Sequence, residues 1–207
     1  MQGNLGGAAA DRNALYFVWG SANDLRDITQ DTFASTITST ISHLTGILGS
    51  LYQLGARNFL LPNLPDIGLT PEARSGGHVV KGGATFASET FNTGLASAYG
   101  TLGNALFGER FTYFNVMSAQ RALTGGAPGN GFSNVSQGCF TGYVGIAGTQ
   151  CADPSGYLCW EKIHPSDATH AALGAQMLAA VPEPQTMLMM AVGKLLLLPN
   201  VGRRRQG

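Results

Sequence analysis

Three short apolar runs, separated by segments of helical periodicity, constrain this chain more than any other feature. Ala14–Trp19 (ALYFVW) is a continuous apolar run, the pattern of a strand buried on both faces. Gly20–Asp24 breaks it. Ile37, Ile41, Leu44, Leu48 and Leu51 then recur at spacings of four and three, with Thr38, Ser39, Ser42 and Thr45 on the opposite face. Gly55 is placed to cap this helix. Arg57–Leu61 reads as a second buried strand, closed by Pro62 and Pro65.

Pro62–Gly83 reads as a loop rich in Pro and Gly. A second helix follows, with Phe91, Leu95, Leu102 and Leu106 on one stripe and Gly108 beyond it. Arg110–Val116 (RFTYFNV) reads as a third strand. Gly125–Gly156 is a long Gly/Ser/Asn-rich stretch, and segments of that length in a compact domain usually carry function. A last helix is expected from about Ser166 to Ala180. Strands alternating with helices predict an α/β fold, a parallel sheet with helices on both faces. Ligand sites in such sheets lie beyond the carboxyl ends of the strands. Asn23 and Asp24 follow the first run and Asn63 the second, so these groups belong on that edge.

Composition removes several classes. The chain has 207 residues and no formal net charge, with only 12% charged residues. That excludes a simple basic nucleic-acid binder. Gly is abundant, at 29 residues, but shows no collagen period, and no sustained heptad predicts a coiled coil. No CxxC, HExxH or P-loop pattern is present, so no metal and no cofactor are expected.

Two candidates for chemistry stand out. His164 sits in WEKIHPSDATH, where Pro165 stiffens the turn and Ser166 or Asp167 can cap the following helix. Glu161, three residues earlier, can reach one ring nitrogen and orient the imidazole. Asn23, at the end of the first strand, can donate its amide N–H to a developing oxyanion. Taken singly, a turn histidine is more often a solvated surface group and such an Asn a turn residue.

The ends of the chain differ in character. The N-terminal MQGNLGGAAADRNALYF has no basic region followed by an apolar one, so it is not read as a signal peptide. At the other end, Val181–Pro184 (VPEP) precedes the apolar run Met187–Leu198, which contains Lys194, and then Arg203–Arg205. The apolar run is short for a spanning helix, which needs ~20 residues. This order resembles the PEP-CTERM sorting tail, which an exosortase recognises and cuts in Gram-negative bacteria. The resemblance implies export to the cell envelope or beyond, with transient membrane contact through the tail. Export without a signal peptide implies that the true start lies upstream of Met1.

The body also resembles a known family. ALYFVWGSANDL (14–25), GARNFLLPNLPDIGLTP (55–71), GFSNVSQGC (131–139) and YLCWEKIHPSDATH (157–170) resemble, in order, blocks of the SGNH/GDSL hydrolases of the lipase, phospholipase and lecithinase-like group. The resemblance implies a three-layer αβα, flavodoxin-like fold for residues 1–180, with 181–207 as the tail. It implies a serine esterase or lipase that works through an acyl-enzyme. His164 would be the general base, Glu161 its orienting acid and Asn23 an oxyanion donor. The substrate would be an acyl ester: a lipid, a small ester or an acylated polysaccharide.

There are departures. The family's Gly-Asp-Ser nucleophile block has no counterpart here, and neither does the block carrying an oxyanion Gly. Both, with the first strands, are expected upstream of Met1. Glu161 stands where the family usually has Asp, and Ser21 where it normally has Gly. Ser21 reads as a turn residue rather than a substitute nucleophile. In an exported protein Cys139 and Cys151 would pair, as a cysteine pair often does in related sequences, leaving Cys159 over. In a cytoplasmic one all three would be free thiols. The alternative function is a degenerate, non-catalytic hydrolase body kept as an exported surface or exopolysaccharide-associated binding protein. A third expectation is a fragment whose open sheet edge makes it aggregate.

Overall fold

Phe59, Leu60 and Leu61 are buried at 0%, 5% and 1% exposure, and they set the layers. They lie in β2 (Asn58–Pro62), where successive side chains point to opposite faces. Phe59 and Leu61 enter one apolar cluster and Leu60 the other. The computed structural model describes residues 9–126, 129–143 and 145–181. The expected sorting tail beyond Val181 and the first eight residues lie outside them.

β2 is the middle strand of a parallel three-stranded sheet, between β1 (Leu15–Phe17) and β3 (Arg110–Phe114). Phe17 pairs with Leu60, and Leu60 with Thr112. On one face pack α2 (Phe33–Gln53) and α4 (Gly77–Ala105), joined through Leu44, Leu48, Phe91, Leu95 and Tyr99. On the other pack α5 (Val116–Gly125) and α6 (Asp167–Ala180), through Val116, Leu123, Leu173 and Met177. The result is the expected three-layer α/β fold. A second small sheet pairs β4 (Asn134–Gly138) in parallel with β5 (Tyr157–Cys159).

Gly55 caps α2 as expected. It takes φ +115°, and Ala56 N–H donates to the Leu51 carbonyl at 3.0 Å, closing the left-handed terminus that only glycine adopts freely.

Several expectations need correction. The first run is not buried on both faces: Leu15 is 46% and Phe17 52% exposed. β1 is an edge strand, and only Tyr16 and Val18 pack against the α2 layer. The Pro62–Gly83 loop contains α3 (Pro71–Ser75) and the first turns of α4. Gly82 and Gly83 sit inside a long helix because its neighbouring turns are anchored: Thr85 donates to buried Asp66, and Ile67 N–H donates to Ser88. α4 ends at Ala105, so Leu106 is extended and leaves the stripe. β3 stops at Phe114, and Val116 opens α5 instead. The Asn115 side chain caps that helix by accepting from Ser118 N–H at 2.9 Å.

Candidate active site

Three segments meet beyond the carboxyl ends of the strands. β1 runs into Trp19–Asn23, β2 into Leu64–Pro65, and β5 into the turn holding His164. Together they line a cavity of about 290 Å³ whose walls are largely apolar, with Leu64, Ile67, Val116, Leu158 and Leu173 among them. Asn23 and His164 both line it.

The His164 turn is built from its own backbone. Glu161 is 3% exposed, and its carboxylate accepts from Ile163 N–H at 3.2 Å and His164 N–H at 2.8 Å. The same carboxylate contacts His164 Nδ1. Two main-chain donors thus stabilise the buried anion while it holds the ring, and Nε2 is left out of that contact. Ser166, rather than Asp167, caps α6: its Oγ accepts from Thr169 N–H at 3.2 Å and donates to the Tyr157 carbonyl at 2.6 Å. Thr169 Oγ1 also donates to the Leu158 carbonyl at 2.7 Å. α6 is therefore fastened to β5, with the His164 turn between them.

Beneath that turn the backbones approach closely. A Cβ on Gly138 of β4 would lie 2.7 Å from Glu161 main-chain atoms. The disulfide Cys139–Cys151, with Cα atoms 4.9 Å apart, closes the loop next to it. Of the two cysteine readings, the paired one holds. Cys159 is free, buried and on the cavity wall. Burial pushes its thiol up to about 11, so it is protonated at neutral pH and is no nucleophile there.

Asn23 lies in α1 (Ala22–Arg26), where its side chain has no hydrogen-bond partner among the described residues. Ser21 precedes it with φ +89°, a conformation a non-glycine residue adopts at a cost of roughly 1–2 kcal/mol. Its hydroxyl does not cap the helix. Ser21→Gly is expected to stabilise the fold by about 0.5–1 kcal/mol, a rise of roughly 1–4 °C in Tm by differential scanning calorimetry. Asn63 lies on the same sheet edge but faces another cavity, where its Oδ1 accepts from Met117 N–H at 3.2 Å.

Several residues of the site region escaped the sequence reading. Arg26 donates twice to Glu72, at 2.9 Å each, and Lys162 Nζ lies 3.0 Å from the same carboxylate. The Tyr143 ring lies under Lys162, 4.3 Å from its nitrogen. Glu72 N–H also donates to the Lys162 carbonyl at 2.9 Å, so this clasp fixes the segment between Glu161 and His164. The sequence separation of 46 between Arg26 and Glu72 hid it. His170 also lines the cavity, from the first turn of α6.

Hydrogen bonding from Arg26 holds the Glu72 carboxyl below the ordinary glutamate range, against the opposing effect of partial burial. A lowered folded-state value means that the clasp stabilises the fold above the unfolded value of ~4.3. That contribution disappears as pH falls through the lower folded value. Urea unfolding across pH 3–6 is expected to show this loss, and Glu72→Gln to flatten it.

A three-layer α/β body with His, Glu and Asn gathered at the strand ends describes a hydrolase scaffold. The GDSL-like Lipase/Acylhydrolase family profile matches residues 3–177, and the chain belongs to that family. Residues 180–206 match the PEP-CTERM protein-sorting motif, which marks export and cell-envelope sorting in bacteria and recognition by an exosortase. A GDSL esterase/lipase of Arabidopsis thaliana is 25% identical over 178 residues, covering 82% of this chain and 51% of the relative. A second from the same plant is 29% identical over 173 residues, covering 76% and 46%, and a third is 28% identical over 155 residues, covering 69% and 43%. The chain spans about half the length of the curated relatives it matches.

Proposed function

We propose that this chain carries the base, the orienting acid and one oxyanion donor of a serine ester hydrolase. His164 Nε2 takes the proton from a serine hydroxyl, and Glu161 holds Nδ1 and stabilises the imidazolium that forms. Asn23 donates to the oxyanion of the tetrahedral intermediate. The serine then carries the acyl group until His164 activates a water to release it. The observation that carries this reading is the Glu161 carboxylate, buried, fed by two main-chain N–H groups and set on His164 Nδ1.

The nucleophile belongs to a Gly-Asp-Ser segment that this sequence does not contain. Among the described residues β1 is an edge strand, and its free side offers main-chain groups to a strand that would bring it in. The hydrolase body is 1–180, and 181–207 is a sorting tail with transient membrane contact in a Gram-negative envelope. A fluorophosphonate probe tests the reading in the exported protein. Labelling of a serine outside these 207 residues supports it, and labelling of Ser21 overturns that assignment. No labelling of intact, folded protein favours the non-catalytic binding body, a reading supported by Ser21 in a glycine conformation.

A further inference from the structure

A second cavity lies on the far side of the Glu72–Lys162 contact. Its volume is about 790 Å³, more than twice that of the cavity holding His164. Its cationic side chains come from three elements: Arg74 from α3, Lys81 from the first turns of α4, and Lys162 from the His164 turn, with the His78 imidazole beside them. Among the described residues no carboxylate lines it. Lys162 is paired with Glu72, but Arg74, His78 and Lys81 have no ion-pair partner among the described residues. Arg74 spends only its Nε–H inside the fold, on the Leu69 carbonyl at 3.0 Å. The body is mildly acidic overall, so this concentration of positive charge is local and points to an anionic ligand.

The rest of the wall narrows the class. Gln137, Ser136 and Thr141 supply amide and hydroxyl groups, and Phe140, stacked on Trp160 with ring centroids 5.7 Å apart, supplies one rigid apolar surface. Such a lining suits a ring with many hydroxyls and a few carboxylates. Because the charges are contributed from separate elements rather than one turn, they match an extended polyanion better than a single small anion. The neighbouring cavity is apolar and suits an acyl chain. The two meet at Glu72 and Lys162, next to His164.

We infer that the groove of Arg74, His78, Lys81 and Lys162 binds an acidic oligosaccharide, the alcohol side of an ester whose acyl group enters the His164 cavity. The inference rests on the esterase reading for its acyl half only. Groove contacts bind the non-reacting part of the substrate, and that binding energy positions the ester.

Calorimetric titration of the full chain with a trigalacturonate tests the groove without any hydrolysis. Maltotriose is the neutral comparison and inorganic phosphate the small-anion comparison. Trigalacturonate is expected to bind, with affinity falling as salt rises, and maltotriose to bind at least tenfold more weakly. Lys81→Glu, which removes no contact of the fold, is expected to weaken trigalacturonate binding at least tenfold, and Arg74→Gln to act in the same direction. His164→Ala is expected to leave trigalacturonate binding unchanged, while the same substitution in the protein that carries the serine abolishes ester hydrolysis, so the two readings fail separately. Equal affinity for maltotriose, equal competition by phosphate, indifference to Lys81→Glu, or no binding by folded chain would overturn the inference.

Discussion

His164→Ala, made in the protein that carries the serine, is expected to lower kcat/KM by about 10⁴-fold or more. The serine would lose the group that removes its proton, and an unassisted hydroxyl is a poor nucleophile at neutral pH. Glu161→Gln is expected to lose less, roughly 10²–10⁴-fold, because the imidazole stays in the cavity but loses its orienting anion. The amide has one oxygen, so it keeps only one of the two main-chain contacts, Ile163 N–H on Oε2 or His164 N–H on Oε1, and part of the loss comes from a loosened turn. Hydrolysis of a chromogenic acetate ester, with circular dichroism as the folding control, checks both. A Glu161→Gln variant with full activity would remove Glu161 from the assignment.

Gly138→Ala is the second large effect, and it acts on stability and site together. The added Cβ would meet Glu161 main chain at 2.7 Å, closer than any relaxed contact. Backbone cannot swing aside as a side chain can, so either β4 or the His164 turn must move. Overpacking of this kind costs about 1–3 kcal/mol. A Tm fall of roughly 2–12 °C is expected for a domain of this size. Activity should fall beyond what the lost stability explains, because Glu161 lies on the displaced segment. Activity preserved at a temperature where the variant is fully folded would show that β4 yields instead.

The sequence was most readable where side chains follow one period. Phe59, Leu60 and Leu61 alternate between layers as a buried strand should, and the α2 stripe buries Ile37, Leu44 and Leu48. His164 and Glu161 were readable because three residues on a proline-stiffened turn can bring an acid to an imidazole locally. β4 was not, because Asn134–Gly138 (NVSQG) shows no apolar pattern, and what fixes it is main-chain pairing and the close approach at Gly138. α5 did leave a signal: the Asn115 cap followed by Val116, Ala119 and Leu123 at helical spacing. The exposure of β1 could not be read, since Ala14–Trp19 is apolar whether or not a neighbouring strand covers it.

The Arg26–Glu72–Lys162 clasp and the pairing of buried Asp66 with Arg121, at 2.7 Å, were hidden for another reason. Each joins segments far apart in the chain, and charges carry no periodicity that foretells a partner. Asp66 lies on the segment after β2 and accepts from Gly68 N–H, Thr85 and Arg121 at once. That buried carboxylate ties the cavity wall at Leu64–Ile67 to α4 and α5. Only its local part, an Asp two residues before a Gly, was available in the sequence.

The account turns on Glu161 holding the Nδ1 proton of His164, and ring NMR of the ¹⁵N-labelled chain tests that most directly. The account predicts an Nδ1–H tautomer with its proton shifted strongly downfield, and loss of that signal in Glu161→Gln. An imidazole protonated on Nε2 alone, or one whose resonances ignore Glu161→Gln, would contradict it.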